Sequence, residues 1–169
     1  NATDVDVGDT LTWSVSSPAT NGTATVSGSG ASPSTFTYAP DADFNGSDSF
    51  AVEVSDGNLT DVVTVNVTVT NVNDAPVIVQ GAGPLAVTMS EDGSPTAWIA
   101  PDLNATDVDV GDVLSWSVSS LATSGNATVS GAGASPPTFD YVPYADFNGS
   151  DSFAVQVTDG NQTAVITVN

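Results

Sequence analysis

A short stretch with three aspartates contains the residues best suited to chemistry. Asn1–Asp9 reads Asn-Ala-Thr-Asp-Val-Asp-Val-Gly-Asp, and the same nine residues recur at Asn104–Asp112. Side chains two residues apart in an extended chain lie on one face, and clustered carboxylate oxygens are the ligands that Ca²⁺ prefers. We therefore predict calcium binding by these stretches. The alternative is that the aspartates only cap turns.

Several further residues are candidate calcium ligands. Asp112 follows a glycine and is placed to close a site begun by Asp107 and Asp109. The segment Asp41–Gly46 has the form of the first half of an EF-hand loop, but its twelfth position is Val52, which excludes an EF-hand site. The remaining candidates are the aspartates of this loop and of the last hairpin turn in each copy: Asp43, Asp146, Asp56 and Asp159. For the hairpin aspartates, a plain turn is the alternative.

The composition limits the partners that the protein can have. The 169 residues include 20 acidic side chains and no Lys, Arg, His or Cys, which gives a formal charge of −20. A chain without basic residues is not expected to bind nucleic acid or anionic lipid. It also has no apolar stretch long enough to insert directly into a membrane. Without His, Cys or Lys, the usual nucleophilic catalysts are missing, so we do not expect an enzyme.

An internal repeat determines the domain prediction. Displacing the sequence by 103 residues aligns 1–66 with 104–169, and 51 of these 66 aligned residues are identical. A period near 100 residues is typical of tandem β-sandwich domains. The stretch Asn73–Pro76 ends in a proline that interrupts β pairing. We therefore predict two domains, 1–73 and 74–169, the first of which lacks its opening strands.

Alternating apolar residues predict an all-β fold throughout both copies. Leu11–Ser16, Thr23–Ser27 and Thr35–Ala39 alternate apolar and polar side chains, and Ser49–Ser55 and Leu59–Thr70 do the same. In the stretch that occurs once, Val77–Gln80 and Leu85–Ser90 are predicted as the opening strands of the second domain. The aromatic pairs Trp13/Trp116 and Phe50/Phe153 are predicted to form equivalent cores. Together these strands predict tandem immunoglobulin-like, cadherin-like antiparallel β-sandwiches.

The sequence resembles the bacterial cadherin-like tandem repeats of large surface proteins and adhesins. The resemblance rests on the linker Asn73-Asp74-Ala75-Pro76, on Ser90-Glu91-Asp92-Gly93, and on Asp107-Val108-Asp109. It also rests on the stretch Tyr38–Phe50 and on Ser55-Asp56-Gly57, and it extends over almost the whole chain. In cadherins, calcium at the junction between successive domains stiffens the molecule.

The resemblance implies a junction site made by both domains. The first domain would contribute Asp43, and the linker would contribute Asn73 and Asp74. The second domain would contribute Asp107, Asp109 and Asp159, while Glu91 would face a further junction. The copies of these residues in the first domain are Asp4, Asp6 and Asp56, and Asp146 is the copy of Asp43 in the second.

Asn-x-Ser/Thr sequons give a separate hypothesis, N-glycosylation. They begin at Asn1, Asn21, Asn45, Asn58, Asn66, Asn104, Asn126, Asn148 and Asn161.

The function predicted from sequence is that of a calcium-stiffened spacer or adhesive repeat at the extracellular side of the cell surface. Its partners would be neighbouring repeats of the same chain and other copies in a fibre. Two alternatives stay open at this point. One is a β-sandwich that binds carbohydrate or a protein partner, and the other is a fibre subunit assembled by strand donation.

Overall fold

The protein folds into two compact units. A computed structural model describes residues 1–6 and 8–169, and it divides them into Asn1–Val72 and Asn73–Asn169, here called unit 1 and unit 2. The division falls one residue before the predicted boundary. Asn73 belongs to unit 2 because its side chain donates to the Asp159 carboxylate of that unit, with a nitrogen-to-oxygen distance of 2.9 Å.

Unit 1 is a five-stranded antiparallel sheet. Its strands follow the alternating segments of the sequence, and their order across the sheet is β3-β2-β1-β4-β5. The strands are β1 Thr12–Ser17, β2 Gly22–Ser29, β3 Thr35–Pro40, β4 Gly46–Ser55 and β5 Thr60–Val69. β5 pairs with β4 over its whole length and lies at the edge of the sheet.

Unit 2 repeats this arrangement and adds a pair of short strands. Its five-stranded sheet has the order β10-β9-β8-β11-β12, and the short strands pair with each other. The strands are β6 Val77–Ile78, β7 Ala105–Thr106, β8 Ser115–Ser120, β9 Gly125–Ala132, β10 Thr138–Pro143, β11 Phe153–Thr158 and β12 Thr163–Val168. The predicted all-β class with antiparallel, immunoglobulin-like and cadherin-like sandwiches is confirmed.

β9 changes its pairing partner along its length. β9 pairs with β10 over Gly125–Ser130 and with β8 over Ser130–Ala132. Next to this change, Gly131 has φ +109°, and a side chain there would collide with the ring of Pro137. Only glycine adopts this conformation without strain, so this backbone conformation is encoded locally.

The two units bury very different amounts of apolar side chain. The core of unit 2 contains thirteen buried residues, drawn from all of its strands and including Leu103, Trp116 and Ile166. Among the described residues of unit 1, the core contains three, which are Val26, Phe50 and Val52. The phenylalanines predicted as equivalent core residues are buried in both units, whereas Trp13 is only partly buried and Trp116 is 3% exposed.

The prediction of opening strands at Val77–Gln80 and Leu85–Ser90 is partly wrong. The first is reduced to the two residues of β6. The second makes only one β-bridge, a parallel one from Leu85 to Val168, followed by a hydrogen bond from the Val87 N–H to the Asn169 carbonyl. Beyond Val87, the backbone has no neighbouring strand among the described residues, so the ladder stops although the sequence still alternates.

Candidate calcium site in unit 2

Three carboxylates converge at one point in unit 2. Asp107, Asp112 and Asp159 each offer one oxygen, and these oxygens lie within 4.8 Å of one another. Asp107 and Asp112 belong to the loop between β7 and β8, and Asp159 belongs to the turn between β11 and β12. Two segments about 50 residues apart in sequence therefore form one acidic cluster.

Asp109 stabilises the cluster through two hydrogen bonds. This residue is 7% exposed, and its Oδ2 accepts a hydrogen bond of 2.7 Å from the backbone N–H of Asp74. Its own N–H donates to Asp107 Oδ1 at 3.0 Å. Asp109 thus holds the start of the unit against the loop and orients the carboxylate of Asp107.

The amide side chain of Asn73 attaches the linker to the turn of Asp159. Asn73 Nδ2 donates to Asp159 Oδ2 at 2.9 Å, while Asn73 Oδ1 accepts from Asn161 Nδ2 at 2.9 Å. The other oxygen of Asp159 accepts the N–H groups of Asn161 and Gln162, both at 2.6 Å. These bonds from Gln162 and Asn73, together with the N–H of Asn161, lower the pKa of Asp159 although burial opposes the shift, so this carboxylate is held in its charged form.

One oxygen of the cluster has no hydrogen-bond partner. Asp107 Oδ2 is fully buried and accepts no hydrogen bond from any residue that the structure describes. A buried oxygen without a partner is costly, and more so when it carries charge. No Lys, Arg or His exists in the sequence to compensate it. A small hard cation would fit this place, because such an ion is coordinated by carboxylate and carbonyl oxygens.

The negative charges of the cluster repel one another. Burial, followed by repulsion from Asp109, Asp107 and Asp159, raises the pKa of Asp112. Like charges in close proximity disfavour the ionised form of a neighbouring group. A divalent cation among these oxygens would remove that repulsion.

The identical stretch of unit 1 has a different environment. Asp4, Asp6 and Asp9 also bring one oxygen each within 4.8 Å of the others, but all three are exposed. Asp56 makes the same turn as Asp159, its Oδ1 accepting the N–H groups of Asn58 and Leu59 at 2.7 Å. Asp56 is nevertheless not part of the unit 1 cluster as described.

The remaining predicted ligands lie on turns. Asp43 and Asp146 are exposed, with φ of 59° and 60°, a backbone conformation that aspartate tolerates in turns. Glu91 is exposed in a 3₁₀ turn, Glu91–Gly93. The structure does not bring Asp146 or Glu91 into the cluster of unit 2, and a role for Asp43 as a ligand stays a prediction.

A pair of carboxylates, one buried and one half-buried, was missed by the sequence reasoning. Asp48 is 8% exposed, accepting bonds from the N–H groups of Thr20 and Asn21 and from the Tyr38 hydroxyl at 2.8 Å. Its copy Asp151 accepts the equivalent bonds from Thr123, Ser124 and Tyr141. The signal was the phase of the alternation, since Asp48 occupies the inward position two residues before Phe50.

These two carboxylates are structural anchors with shifted pKa values. Burial alone would raise the pKa of Asp48, but the hydrogen bonds from Asn21, Thr20 and Tyr38 outweigh it and lower the pKa to about 2. The same balance lowers the pKa of Asp151. Burial and the hydrogen bond to the carboxylate raise the pKa of both tyrosines to about 12. In each pair, therefore, a charged aspartate accepts a hydrogen bond from a neutral tyrosine, and the pair attaches a loop to the sheet.

The sequon asparagines are mostly accessible. Eight of the nine side chains are exposed, and Asn21 is half-buried. Asn161 is already engaged with Asn73. N-glycosylation stays a prediction.

A cleft of about 710 Å³ lies elsewhere in unit 2. Its walls include Met89, Trp98, Tyr141 and Phe147, and Glu91 and Asp151 are at its polar side. Its size lies in the range of small-ligand sites, and the combination of aromatic faces with carboxylates suits a polar organic ligand.

Comparison with known families explains the shared plan of the two units. Residues 73–169, more than half of the chain, match the family model described as the bacterial Ig domain. The chain belongs to this family. Residues 1–71 match the model described as the bacterial cadherin-like domain. The predicted resemblance to bacterial cadherin-like repeats is confirmed, and the chain is a repeat module of the kind found in surface proteins. Both matched families are non-enzymatic domains.

Individual proteins add little to this bacterial Ig assignment. No curated protein matches the sequence. Two solved structures are similar over 95% of the chain, an endo-fucoidan hydrolase from glycoside hydrolase family 107 and a variant of it. The identity is 22% and the TM-score 0.37 in both cases, and the chain spans 23% of the length of these proteins. Within the described residues, no helix is long and apolar enough to cross a membrane.

Proposed function

We propose that this chain is a spacer module of a bacterial surface protein, located outside the cell and stiffened by Ca²⁺ bound to unit 2. The observation that carries the proposal is the buried, unpartnered Oδ2 of Asp107 beside the oxygens of Asp112 and Asp159. Calcium takes six to eight oxygen ligands, including backbone carbonyls and water. The carboxylates would supply the first of these.

The ion would act by stabilising the start of unit 2. Asp74 and Asn73 are already bonded to Asp109 and Asp159, which flank or form the acidic cluster. Binding of Ca²⁺ to that cluster would immobilise the same carboxylates and, through them, the linker residues. Because Asn73 follows Val72 directly, a linker held in this way has fewer conformations. The charge of −20 would otherwise favour extended, mutually repelling segments.

A titration with matched variants tests the ion site. We expect Ca²⁺ added to the full chain to shift the backbone amide resonances of Asp107, Asp112 and Asp159 at low ion concentration. Asp107→Asn should weaken binding at this site by about tenfold or more, since it removes one charged ligand. Asp4→Asn is the matched control, because Asp4 is the exposed copy of the same residue. Equal effects of the two substitutions would contradict the proposal.

Small-angle scattering tests the stiffening separately. The maximum dimension of the chain varies among its conformations in solution. We expect this distribution to narrow when Ca²⁺ is added and to broaden again with EDTA. Replacing Ca²⁺ with an equal ionic strength of NaCl distinguishes ion binding from screening. If NaCl narrowed the distribution as much as Ca²⁺ did, the acidic residues would serve only charge repulsion and solubility.

The cleft beside Trp98 and Tyr141 supports a second candidate function, the binding of carbohydrate or another polar ligand by unit 2. Aromatic faces and carboxylates are suited to the apolar faces and hydroxyl groups of a sugar. A glycan array probed with the full chain and with Trp98→Ala tests it. Selective binding that disappears in the variant is expected on this view, and the absence of any selective binding would exclude it.

A further inference from the structure

Two amide side chains in the turn between β11 and β12 attach the first residue of unit 2 to that turn. Gln162 Nε2 donates to the backbone carbonyl of Asn73 at 2.7 Å. Asn161 Nδ2 donates to Asn73 Oδ1 at 2.9 Å, and Asn73 Nδ2 donates to Asp159 Oδ2 at 2.9 Å. The main chain and the side chain of Asn73 are therefore both held. These three bonds are here called the amide clamp.

The bonds of the amide clamp are complete within the protein. Each joins an amide N–H to a carbonyl or carboxylate oxygen, so the donor and the acceptor are both supplied by the chain. Asn73 Nδ2 also donates to the carbonyl of Asp74 at 2.7 Å, and the Asp74 N–H donates to buried Asp109. The clamp is therefore continuous with the contact between the linker and the loop of the acidic cluster.

The side chain of Gln162 is not needed to form the turn. Leu59 occupies the equivalent position in unit 1. The turn of unit 1 closes in the same way, because Asp56 Oδ1 accepts the N–H groups of Asn58 and Leu59. A leucine side chain has no N–H, so only the backbone at this position closes the turn. The side-chain amide of Gln162 contributes instead to holding Asn73.

The backbone of Gln162 is fixed by bonds of its own. Its carbonyl accepts from Thr158 Oγ1 at 2.7 Å, and its N–H donates to Asp159 Oδ1 at 2.6 Å. A side chain that starts from a fixed backbone loses less conformational freedom when its amide binds Asn73. Gln162 is exposed, so water competes with this bond, and the clamp depends on its three bonds acting together.

The clamp also determines which oxygen of Asp159 is available to an ion. A carboxylate has about four positions that accept hydrogen bonds or ligate. Asp159 Oδ1 accepts the N–H groups of Asn161 and Gln162, both at 2.6 Å, and Oδ2 accepts from Asn73. This leaves one position, on Oδ2. The oxygen that would reach a cation is therefore the one that Asn73 orients.

We propose that the amide clamp holds the linker on unit 2 without an ion and positions Asp159 for one, with Asn161 and Gln162 as the positioning residues. The second part rests on the proposed function, whereas the first does not, because the clamp bonds involve no calcium. An ion would then enter a site whose linker half is already assembled, so less conformational freedom is lost on binding.

Amide hydrogen exchange of the full chain in EDTA tests the first part. In the double variant Asn161→Ala, Gln162→Met, we expect the Asp74 amide to exchange about tenfold faster, since the linker leaves the turn more often. The Val157 amide in the core should change much less. Gln156→Met on β11 is the matched control and should leave Asp74 unchanged. An unchanged Asp74 amide in the double variant, or equal acceleration of both amides, would overturn the proposal.

A calcium titration of the same variants tests the second part. We expect the double variant to bind Ca²⁺ about threefold to tenfold more weakly, because Asp159 is oriented for a smaller fraction of the time. Gln162→Met alone should give an intermediate affinity, and Gln156→Met should bind as the original chain does. Unchanged affinity beside faster Asp74 exchange would overturn the positioning role. If the original chain binds no Ca²⁺, the proposed function and the positioning role both fail, while exchange in EDTA still decides whether the clamp holds the linker.

Discussion

Trp13 and Trp116 occupy the same place in two copies of nearly the same sequence. Each donates its indole N–H to a glycine carbonyl at 2.9 Å, to Gly30 in unit 1 and to Gly133 in unit 2. Nevertheless Trp116 is 3% exposed and belongs to a core of thirteen buried residues, while Trp13 is partly buried beside a core of three. The local hydrogen bond is the same in both units, but the packing around it is not.

The comparison separates what a repeat encodes locally from what it needs from outside. Strand pairing, the glycine conformation in β9 and the tyrosine–aspartate anchors are determined within the shared 66 residues. Burial of the apolar face and of the acidic cluster depends on the stretch Asn73–Leu103, which occurs once in the sequence. Asp4 and Asp6 are therefore exposed in unit 1, whereas their copies Asp107 and Asp109 are half-buried and buried in unit 2.

Removing the paired tryptophans should give the largest difference between the units. Trp116→Ala is expected to destabilise unit 2 by about 3–5 kcal/mol, which combines lost burial with an unfilled cavity. Trp13→Ala should cost unit 1 clearly less, because that side chain is only partly buried and packs beside a smaller core. Chemical denaturation followed by residue-resolved NMR measures the two units separately. Equal losses would mean that the extra core of unit 2 adds no cooperativity.

Calcium should stabilise the units unequally. If Ca²⁺ binds folded unit 2 and not the unfolded chain, an excess of about 100 times its dissociation constant adds about 2.7 kcal/mol. We expect the denaturation midpoint of unit 2 to rise accordingly and that of unit 1 to rise less, because Asp4, Asp6 and Asp9 are all exposed. Asp107→Asn should remove most of the rise. A rise of the same size in both units would show that burial does not distinguish the two clusters.

The sequence predicts those features of the two units that follow from the repeat period and from the spacing of residues. Alternation identified β1 to β5 and their copies because each strand has one apolar face, whereas the grouping of Asp107, Asp109 and Asp159 came from the resemblance to cadherin-like repeats. It extended the strand at Leu85–Ser90 too far, since alternation does not reveal where a pairing partner ends. It overlooked Asp48 and Asp151 because an inward aspartate among valines has meaning only once its donors are known.

Acid should act on both units through the tyrosine–aspartate anchors. The pKa of Asp48 is lowered to about 2 from its ordinary 3.8, and that of Asp151 is also lowered. A depressed carboxylate pKa contributes stability above pH ~4 that is lost as the pH falls towards the folded pKa. We expect both units to lose stability between pH 4 and pH 2, measured by denaturant midpoints. Asp151→Asn should flatten this dependence in unit 2 only.

Loss of the tyrosine hydroxyl should have a smaller, pH-independent effect in the neutral range. Tyr141→Phe removes a hydrogen bond to a charged acceptor, for which about 1.5–3 kcal/mol is typical, and Tyr38→Phe is the matched variant in unit 1. The pKa of each tyrosine is about 12 against an ordinary 10. Stability from these hydroxyls is therefore present below pH ~10 and lost as the pH rises towards 12. Stability curves of the phenylalanine variants should lack that alkaline loss, and curves that kept it would assign it to another group.

The smallest expected effect has opposite signs with and without calcium. Burial and the neighbouring Asp109, Asp107 and Asp159 raise the pKa of Asp112, so its ionised form is less favourable than that of an ordinary aspartate when no cation is bound. In EDTA, Asp112→Asn should stabilise unit 2 slightly by removing this repulsion. In saturating Ca²⁺ the same substitution should destabilise it, because a charged ligand is lost. Asp9→Asn, at the copy of this residue in unit 1, should show little of either effect, because Asp4 and Asp6 beside it are also exposed. A destabilising Asp112→Asn in EDTA would mean that the hydrogen bonds of this loop, and not charge repulsion, dominate its energetics. Relief of charge repulsion would then no longer favour a cation at Asp107.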